Sequence, residues 1–181
     1  MAAMSLGWAY ALIVLVALQR LGEVVIDRRN RTALMARGAR ESGAVQYPVM
    51  VALHTAWLVA IFVLTAPNPV PHWFWLGVVA LCQAMRVWVV ATLGPYWTTR
   101  VIVLDGTQPI RTGPYRFLRH PNYLAVAVEV PALPLALGMP VVAAVFGVLN
   151  LGMLAWRIRV EDDARRGLDS LRKKAASVPN A

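Results

Sequence analysis

Five long apolar segments constrain the fold of this 181-residue chain more than any other feature of its sequence. Each is long enough, or nearly so, to cross a hydrocarbon core of about 30 Å as a helix that rises about 1.5 Å per residue. With 59% hydrophobic and only 15% charged residues, the chain is predicted to be an all-α polytopic membrane protein. The segments are 6–26, 47–66, 72–93, 121–138 and 140–156.

The last two segments are joined almost directly, because only Met139 lies between Gly138 and Pro140. Such a short connection predicts a helical hairpin. Pro131 and Pro134 fall inside the first helix of the hairpin, where a proline removes a backbone donor and favours a kink. No internal repeat or low-complexity tract divides the sequence, so the chain is interpreted as one integral-membrane domain.

The positions of the basic residues predict the orientation of the chain. Residues 27–46, 94–120 and 157–181 hold five, four and seven lysines and arginines, whereas the connectors 67–71 and 138–140 hold none. With about five transmembrane helices, the positive-inside rule places the N-terminus outside. The same rule places the three basic segments and the C-terminus in the cytoplasm.

The net charge of +9 raises the question of an anionic partner. A nucleic-acid-binding protein would carry a soluble basic face with interleaved aromatic residues, and this sequence has none. Basic loops between membrane helices indicate contact with anionic lipids instead. We therefore expect membrane lipids as partners and no nucleic acid.

Five candidate ionisable side chains, Arg20, Glu23, His54, Arg86 and Glu129, lie at membrane depth, where a charge is costly and is by default a functional hypothesis. Arg20 and Glu23 are three residues apart and are able to pair or to reach the interface. Arg86 and Glu129 are expected at similar depth, either as a structural ion pair or as the polar floor of a substrate pocket. His54 either makes an interhelical hydrogen bond or takes a metal or base role.

Metal chemistry is not expected. His54, His72 and His120 lie in different segments, no HxxxH or HExxH spacing occurs, and Cys82 is the single cysteine. The sequence also contains no GxSxG, GxGxxG or Walker A pattern. We therefore predict no metal site and none of the usual soluble cofactor folds.

A polar run, GPYRFLRHPNY at 113–123, stands at the start of the fourth apolar segment. Pro121 suits the first turn of a helix, where its missing N–H costs nothing, and a helix N-terminus favours an anionic group. The arginines of the run are able to hold a carboxylate or phosphate, and its tyrosines offer flat faces to an adenine ring or to lipid headgroups. A positive-inside loop with interfacial tyrosines would also explain this composition.

A second polar run, RIRVEDD at 157–163, follows the last apolar segment and ends in two aspartates after a glutamate. These acids either balance nearby arginines through i,i+4 pairs or receive an ammonium group or ribose hydroxyls of a ligand. In the second case, the ligand would also contact the histidine–proline run.

The sequence GPYRFLRHPNYLA, preceded by LGPYWTTRV at 93–101 and followed about forty residues later by Arg-x-x-x-Glu-Asp, resembles the isoprenylcysteine carboxyl methyltransferase family. The resemblance covers roughly residues 75–170 and implies a small membrane enzyme that uses S-adenosylmethionine. It implies one domain over 1–181, with a cofactor-binding part at about 93–170. The stretch RNRTALMARGARESG and Glu129 within YLAVAVEVPALPL resemble a bacterial branch of the family, which implies a bacterial plasma membrane. With the orientation predicted by the positive-inside rule, the active site would face the cytoplasm.

Some members of that branch accompany type III polyketide synthases and are implicated in methylating alkylresorcinol-type phenols. The chain has fewer spans than eukaryotic members and a shorter tail after the acidic motif, which argues against prenylated proteins as substrates. The resemblance implies that one set of residues encloses the cofactor: Leu104, Tyr115, Arg116, Arg119, His120, Pro121, Tyr123, Glu161 and Asp162.

The implied reaction is an in-line attack of an acceptor oxygen on the sulfonium methyl group. A prenylcysteine-like carboxylate needs only an arginine to hold it, such as Arg86 or Arg116. A phenol, with a pKa near 10, benefits from a base, for which Glu129 and His54 are the intramembrane choices. Of these two, Glu129 is the expected base, so Glu129→Gln would abolish phenol methylation. The lipophilic acceptor is expected to enter laterally from the bilayer.

Two other classes of function stay open at this point. A membrane reductase that uses NADPH has a similar size and topology. A non-enzymatic scaffold or small transporter would bind neither cofactor.

Overall fold

The structure is a computed structural model that describes residues 2–108 and 110–176, with side chains described for residues 7–108 and 110–167. Its five α-helices correspond to the five apolar segments, so the prediction of an all-α membrane protein is confirmed. The helices are α1 (Ala2–Ala36), α2 (Gln46–Leu64), α3 (Trp73–Leu93), α4 (Pro121–Ala136) and α5 (Pro140–Ala176). Shorter elements lie between them: strands β1 (Arg40–Ser42) and β2 (Val101–Val103), and 3-10 helices at Gly94–Tyr96 and Gly113–Arg116.

The described chain has four helices that are long and apolar enough to cross a membrane, within Gly7–Ala36, Gln46–Leu64, Trp73–Tyr96 and Pro140–Gly167. The remaining helix, α4, has 16 residues. At about 1.5 Å per residue it is shorter than a typical hydrocarbon core. The predicted number of crossings and the orientation of the termini therefore stay predictions.

Two helices continue well beyond their apolar segments. Helix α1 extends about ten residues past the predicted end of its segment, and α5 runs on through the RIRVEDD sequence. The last helix therefore includes the acidic run.

Helix α4 forms the centre of the helix bundle, packed against α3 and α5. Nine of its residues are buried, whereas the longer helices expose large apolar side chains such as Leu18, Leu81 and Val141. Small residues on α4 allow close helix approach, which stabilises packing inside a membrane, where apolar burial does not distinguish protein from lipid. The core combines α1, α2, α3 and α4, with Ile13, Val16, Trp57, Ile61, Val79, Val126, Val130 and Leu133 among its members.

Pro131 and Pro134 lie inside α4, as predicted, and the helix is continuous through both. Because Pro134 has no N–H, the carbonyl of Val130 loses its helical donor. The indole Nε1 of Trp57 on α2 donates a hydrogen bond to this carbonyl at 3.0 Å. The proline thus creates a free acceptor that fixes the position of α2 against α4.

The predicted hairpin between α4 and α5 is confirmed. Gly138 adopts φ 75°, in the left-handed region that favours glycine, and its N–H bonds to the carbonyl of Leu135 at 3.1 Å. The N–H of Met139 bonds to the carbonyl of Pro134 at 2.8 Å. These bonds satisfy the last carbonyls of α4 within a turn of three residues.

A small antiparallel sheet, which the sequence analysis did not predict, pairs β1 with β2 so that Glu41 faces Ile102. Arg100 reinforces it, since its Nη1 donates to Glu41 Oε1 at 2.6 Å and its guanidinium lies 3.9 Å from the ring centroid of Tyr47. The sheet brings the segments after α1 and after α3 together at one end of the bundle.

The bond between Trp57 and the carbonyl of Val130 gives a stability prediction. Trp57→Phe leaves a buried carbonyl without a donor, so we expect the free energy of unfolding to fall by about 1 to 2 kcal/mol. Thermal or denaturant unfolding in detergent micelles measures the change. Trp73→Phe is the control, because Trp73 is 78% exposed. Equal stability of Trp57→Phe and the wild type would contradict this account of the proline.

Candidate functional site

The extension of α1 positions the loop that follows α3. Asp27 is buried, and its Oδ1 accepts the backbone N–H of Thr99 at 2.6 Å. One turn further along α1, Asn30 Nδ2 donates to the carbonyls of Gly94 and Trp97, both at 2.9 Å. Side chains of one helix therefore satisfy three backbone groups of an irregular segment and hold it in place.

The histidine–proline run folds as a 3-10 turn followed by the start of α4. Gly113 has φ 55°, and a side chain at this position would collide with Thr92 on α3. Pro121 is the first residue of α4 and is buried, as its expected place in the first helical turn requires. The carbonyl of His120 accepts the N–H groups of Tyr123 and Leu124, both at 3.1 Å.

Glu161 on α5 is the point at which the two polar runs meet. Its Oε2 accepts the hydroxyl of Tyr123 at 2.7 Å, and its Oε1 accepts Arg165 Nη2 at 2.5 Å. The ring of His120 stacks on that of Tyr123, with centroids 5.1 Å apart and planes 7° apart. Arg157 Nε donates to the Tyr123 hydroxyl at 3.0 Å. The histidine–proline run and the acidic run RIRVEDD are thus in direct contact.

A cavity of about 1450 Å³ lies beside this junction. Two residues of the predicted cofactor set are placed differently from the rest: Pro121 is buried in the first turn of α4, and Asp162 binds Arg119 Nη2 at 2.7 Å. Neither is part of the cavity lining. The other seven predicted residues line it: Leu104, Tyr115, Arg116, Arg119, His120, Tyr123 and Glu161.

Three lining residues carry buried polar atoms that have no hydrogen-bond partner in the described part of the chain. These atoms are the indole Nε1 of Trp97, whose residue is 3% exposed, Nε of Arg100 and Oδ1 of Asn122. An unpaired buried donor or acceptor is expensive, so such atoms commonly mark a place for a ligand or water. The lining residues therefore hold two donors and one acceptor without a protein partner, in addition to Glu161 and its arginines.

Burial changes the titration of two side chains at the cavity. It raises the pKa of Tyr115 to about 12, and the negative charge of Glu161 adds to this effect. Burial lowers the pKa of His120 below its ordinary value of 6.5, although Glu161 acts in the opposite direction. At neutral pH, Tyr115 is therefore a protonated phenol and His120 a neutral imidazole.

A second polar group, here called the ion cluster, lies among the membrane helices and consists of Arg20, Glu23, Arg86 and Glu129. Arg20 binds Glu129 at 2.6 Å and Glu23 at 3.4 Å. Arg86 donates to both oxygens of Glu23, with 3.0 Å from Nε to Oε1, and its Nε lies 3.9 Å from Glu129 Oε2. Two positive and two negative charges from α1, α3 and α4 thus neutralise one another at membrane depth.

All four intramembrane arginines and glutamates that the sequence analysis singled out contact one another in the ion cluster. Arg20 and Glu23 pair, as one interpretation of the sequence held, and Arg86 and Glu129 also come together. Glu129 is 0% and Arg86 3% exposed. Three buried atoms in the cluster have no partner among the described residues: Glu129 Oε1, Arg86 Nη1 and Arg20 Nε.

The structure places His54 one helical turn from Met50 on α2. Its Nδ1 bonds to the carbonyl of Met50 at 2.9 Å, so this bond lies within α2 and is not the interhelical bond that was one of the predicted alternatives. Met50 also contacts Arg157, whose Nη1 lies 3.5 Å from the Met50 sulfur. Met50 therefore connects His54 with the junction at the cavity.

The sequence analysis missed Arg157 as a site residue and treated it as charge balance. It is buried, lines the cavity and binds the Tyr123 hydroxyl. Its position one turn before Glu161 was a signal, because residues four apart share a helix face. Asp27, Asn30 and Trp97 were also missed. No group of three or more histidine, cysteine, aspartate or glutamate side chains suited to a metal ion occurs within the described residues.

Comparison with known proteins places these residues in context. A model of the isoprenylcysteine carboxyl methyltransferase family matches residues 75–165. The uncharacterized protein YpbQ of Bacillus subtilis is 32% identical over 159 residues, which cover 86% of this chain and 95% of that protein. An uncharacterized protein of Haemophilus influenzae is 27% identical over 150 residues, covering 80% of this chain and 87% of its own length. No solved structure matches the chain.

The ion cluster predicts a non-additive pair of substitutions. Arg86→Met leaves one arginine against two buried glutamates, so we expect unfolding in mixed micelles to show a loss of about 3 kcal/mol or more. Adding Glu23→Gln restores neutrality, since the Arg20–Glu129 pair remains. The double variant should therefore be more stable than Arg86→Met alone. Losses that simply add would show that the four charges do not form one unit.

The low pKa of His120 predicts a pH dependence of stability. Because the folded state favours the neutral imidazole, the stabilisation is complete above 6.5, the ordinary pKa, and is lost as the pH falls below it. We expect the melting temperature to drop between about pH 7.5 and about pH 5.5, and to drop less in His120→Asn. An equal drop in both proteins would assign the effect to other groups.

Proposed function

The chain belongs to the isoprenylcysteine carboxyl methyltransferase family, and on this premise we propose that it transfers the methyl group of S-adenosylmethionine to an oxygen atom of a lipophilic acceptor. One observation carries the proposal. The histidine–proline run and the acidic run, both within the matched residues, meet at Glu161 and line a cavity of about 1450 Å³.

The residues at the cavity fit the proposed methyl donor. When bound, S-adenosylmethionine supplies an electrophilic methyl group on a positively charged sulfur. Glu161 would hold its ammonium group or ribose hydroxyls, and the arginines of the lining would hold its carboxylate. The faces of Tyr115, Tyr123 and His120 suit an adenine ring. Trp97 Nε1 and Asn122 Oδ1 have no protein partner among the described residues and would pair with polar atoms of the ligand.

The ion cluster supports a second part of the proposal, the place of the acceptor. Its unpartnered atoms on Glu129 and Arg86 suit a polar head group at membrane depth, while an acyl or prenyl chain stays among the helices. The acceptor is then a prenylcysteine-like carboxylate or an alkylresorcinol-type phenol that enters from the bilayer. The protein would align acceptor and donor and exclude water, which together lower the barrier by several kcal/mol.

The proposed setting is a bacterial plasma membrane, with the cavity facing the cytoplasm. Two features support this orientation. The cavity lies at the end of the bundle that carries the basic segments, which the positive-inside rule assigns to the cytoplasm. A water-soluble methyl donor would also reach the cavity from that side.

A reductase that uses NADPH and a scaffold or transporter are the competing functions. The arginines of the cavity lining are able to hold the phosphates of NADPH as well as a carboxylate, so the binding of the two cofactors has to be compared directly. A scaffold or transporter would leave the stacked and ion-paired side chains at the cavity without a ligand to bind.

The binding of S-adenosylhomocysteine, the product of the methyl donor, tests the proposal. We expect the purified protein to bind it in calorimetry and not to bind NADPH. Glu161→Gln removes a charge-assisted contact, so the Kd of this variant for S-adenosylhomocysteine should rise at least about tenfold. Asp163→Asn removes a charge two residues away and should bind as the wild type does, because Asp163 is 72% exposed and pairs only with Arg166 among the described residues.

The outcomes separate the three functions. Loss of affinity in Glu161→Gln but not in Asp163→Asn supports a donor site at the cavity. Binding of NADPH instead supports the reductase, and binding of neither compound supports the scaffold or transporter.

A further inference from the structure

A groove of about 460 Å³ lies between α1 and the end of α3 and shares none of its lining residues with the cavity. We propose that this groove binds one anionic phospholipid. The lipid phosphate would lie on the guanidinium of Arg29, and an acyl chain would lie between the two helices. Methyl transfer does not itself require such a site, so this inference goes beyond the proposed function.

The groove forms because α1 and α3 are joined by polar contacts at two levels. Arg86 on α3 binds Glu23 on α1, and two turns further along α1, Asn30 donates to the carbonyl of Gly94 at 2.9 Å. The groove begins between these two contacts. The α1 residues that line it are three, four and seven positions apart and therefore share one helix face: Ile26, Arg29, Asn30 and Ala33.

The lining of the groove changes from apolar to basic along the helix axis. Ile26 is the last residue of the first apolar segment, and Val90 lines the groove close to the end of the third. One turn beyond Ile26 stands Arg29, which is exposed. The groove therefore lies where the apolar segments end and the basic segments begin, which is the level of the lipid head groups. A phospholipid has the same order of parts, an acyl chain followed by a phosphate.

The charge of Arg29 is not neutralised by any carboxylate in the described part of the chain. Asp27, the nearest acid in sequence, is buried and accepts the backbone N–H of Thr99 at 2.6 Å. Glu41, the next acid along the chain, binds Arg100 at 2.6 Å. A guanidinium is well suited to a phosphate, and anionic lipids attract basic positions beside a membrane helix. An anionic lipid would thus supply the missing counter-charge, whereas a zwitterionic lipid brings its own cation.

The groove adjoins the segment that builds part of the cavity wall. Gly94 and Pro95 line the groove, and the next two residues, Tyr96 and Trp97, line the cavity. Asn30, which also lines the groove, donates to the carbonyls of Gly94 and Trp97. A lipid packed against these groups would favour the conformation that holds Trp97 at the cavity, so lipid and methyl donor should each strengthen the binding of the other. This consequence alone rests on the proposed function.

Native mass spectrometry of the delipidated protein in detergent, titrated with phosphatidylglycerol, tests the lipid site. The matched pair of variants is Arg29→Gln and Arg28→Gln, which remove the same charge from adjacent residues of α1. Arg28 is also exposed but does not line the groove. We expect the Kd of the first bound lipid to rise about tenfold or more in Arg29→Gln, because a charge-assisted contact is lost. In Arg28→Gln it should stay within about twofold of the wild type.

A third variant separates the shape of the groove from its charge. Ala33→Phe places a ring in the groove and leaves the net charge unchanged, and because Ala33 is exposed the core is not disturbed. We expect this variant to lose phosphatidylglycerol as Arg29→Gln does. The wild type should bind phosphatidylcholine more weakly than phosphatidylglycerol, and an excess of inorganic phosphate should not displace the bound lipid.

Calorimetry with S-adenosylhomocysteine tests the coupling between the groove and the cavity. Phosphatidylglycerol should lower the Kd of the wild type for S-adenosylhomocysteine about fivefold, since each ligand favours the same conformation of the segment 94–97. The lipid should have no such effect on Arg29→Gln, and it should act on Arg28→Gln as it does on the wild type.

Several results would overturn the lipid site. Equal losses in Arg29→Gln and Arg28→Gln would show a diffuse surface charge, and unchanged binding in Arg29→Gln or Ala33→Phe would place the lipid elsewhere. Equal binding of phosphatidylcholine, or displacement by inorganic phosphate, would contradict an anionic lipid as the occupant. An unchanged Kd for S-adenosylhomocysteine with phosphatidylglycerol would overturn the coupling. If the wild type binds no S-adenosylhomocysteine at all, the proposed function fails, while mass spectrometry still decides the lipid site.

Discussion

The mutual neutralisation of Arg20, Glu23, Arg86 and Glu129 is the constraint on which the rest of the molecule depends. These residues come from α1, α3 and α4, and none of them is tolerable at membrane depth without the others. Three helices must therefore assemble in one register before the charges are paired. Because Glu129 lies near the middle of α4, the same register sets the start of this helix, where the histidine–proline run faces the cavity.

Met50 and Arg157 link helix α2 with the wall of the cavity. Arg157 binds the Tyr123 hydroxyl on one side and approaches the Met50 sulfur on the other, while the Met50 carbonyl orients His54. A water-soluble methyl donor and a membrane-embedded acceptor require two environments in contact, one polar and open and one apolar and closed.

The sequence predicted what depends on local pattern and failed on what depends on long-range packing. The apolar segments predicted the helices, and the one-residue connector predicted the hairpin. The preference of proline for the first helical turn predicted the place of Pro121. The similar positions of Arg86 and Glu129 along their segments predicted that these two side chains lie at the same depth, and they do come together. The sheet was missed because three-residue strands carry no periodic signal. The role of Arg157 was missed because its partners, Tyr123 and Met50, are distant in sequence.

An experimental structure with bound S-adenosylhomocysteine tests the central claim most directly, that the methyl donor binds where the histidine–proline run and the acidic run meet. The account predicts that the ligand occupies the cavity and contacts Glu161 and Tyr123. A ligand bound elsewhere would contradict it.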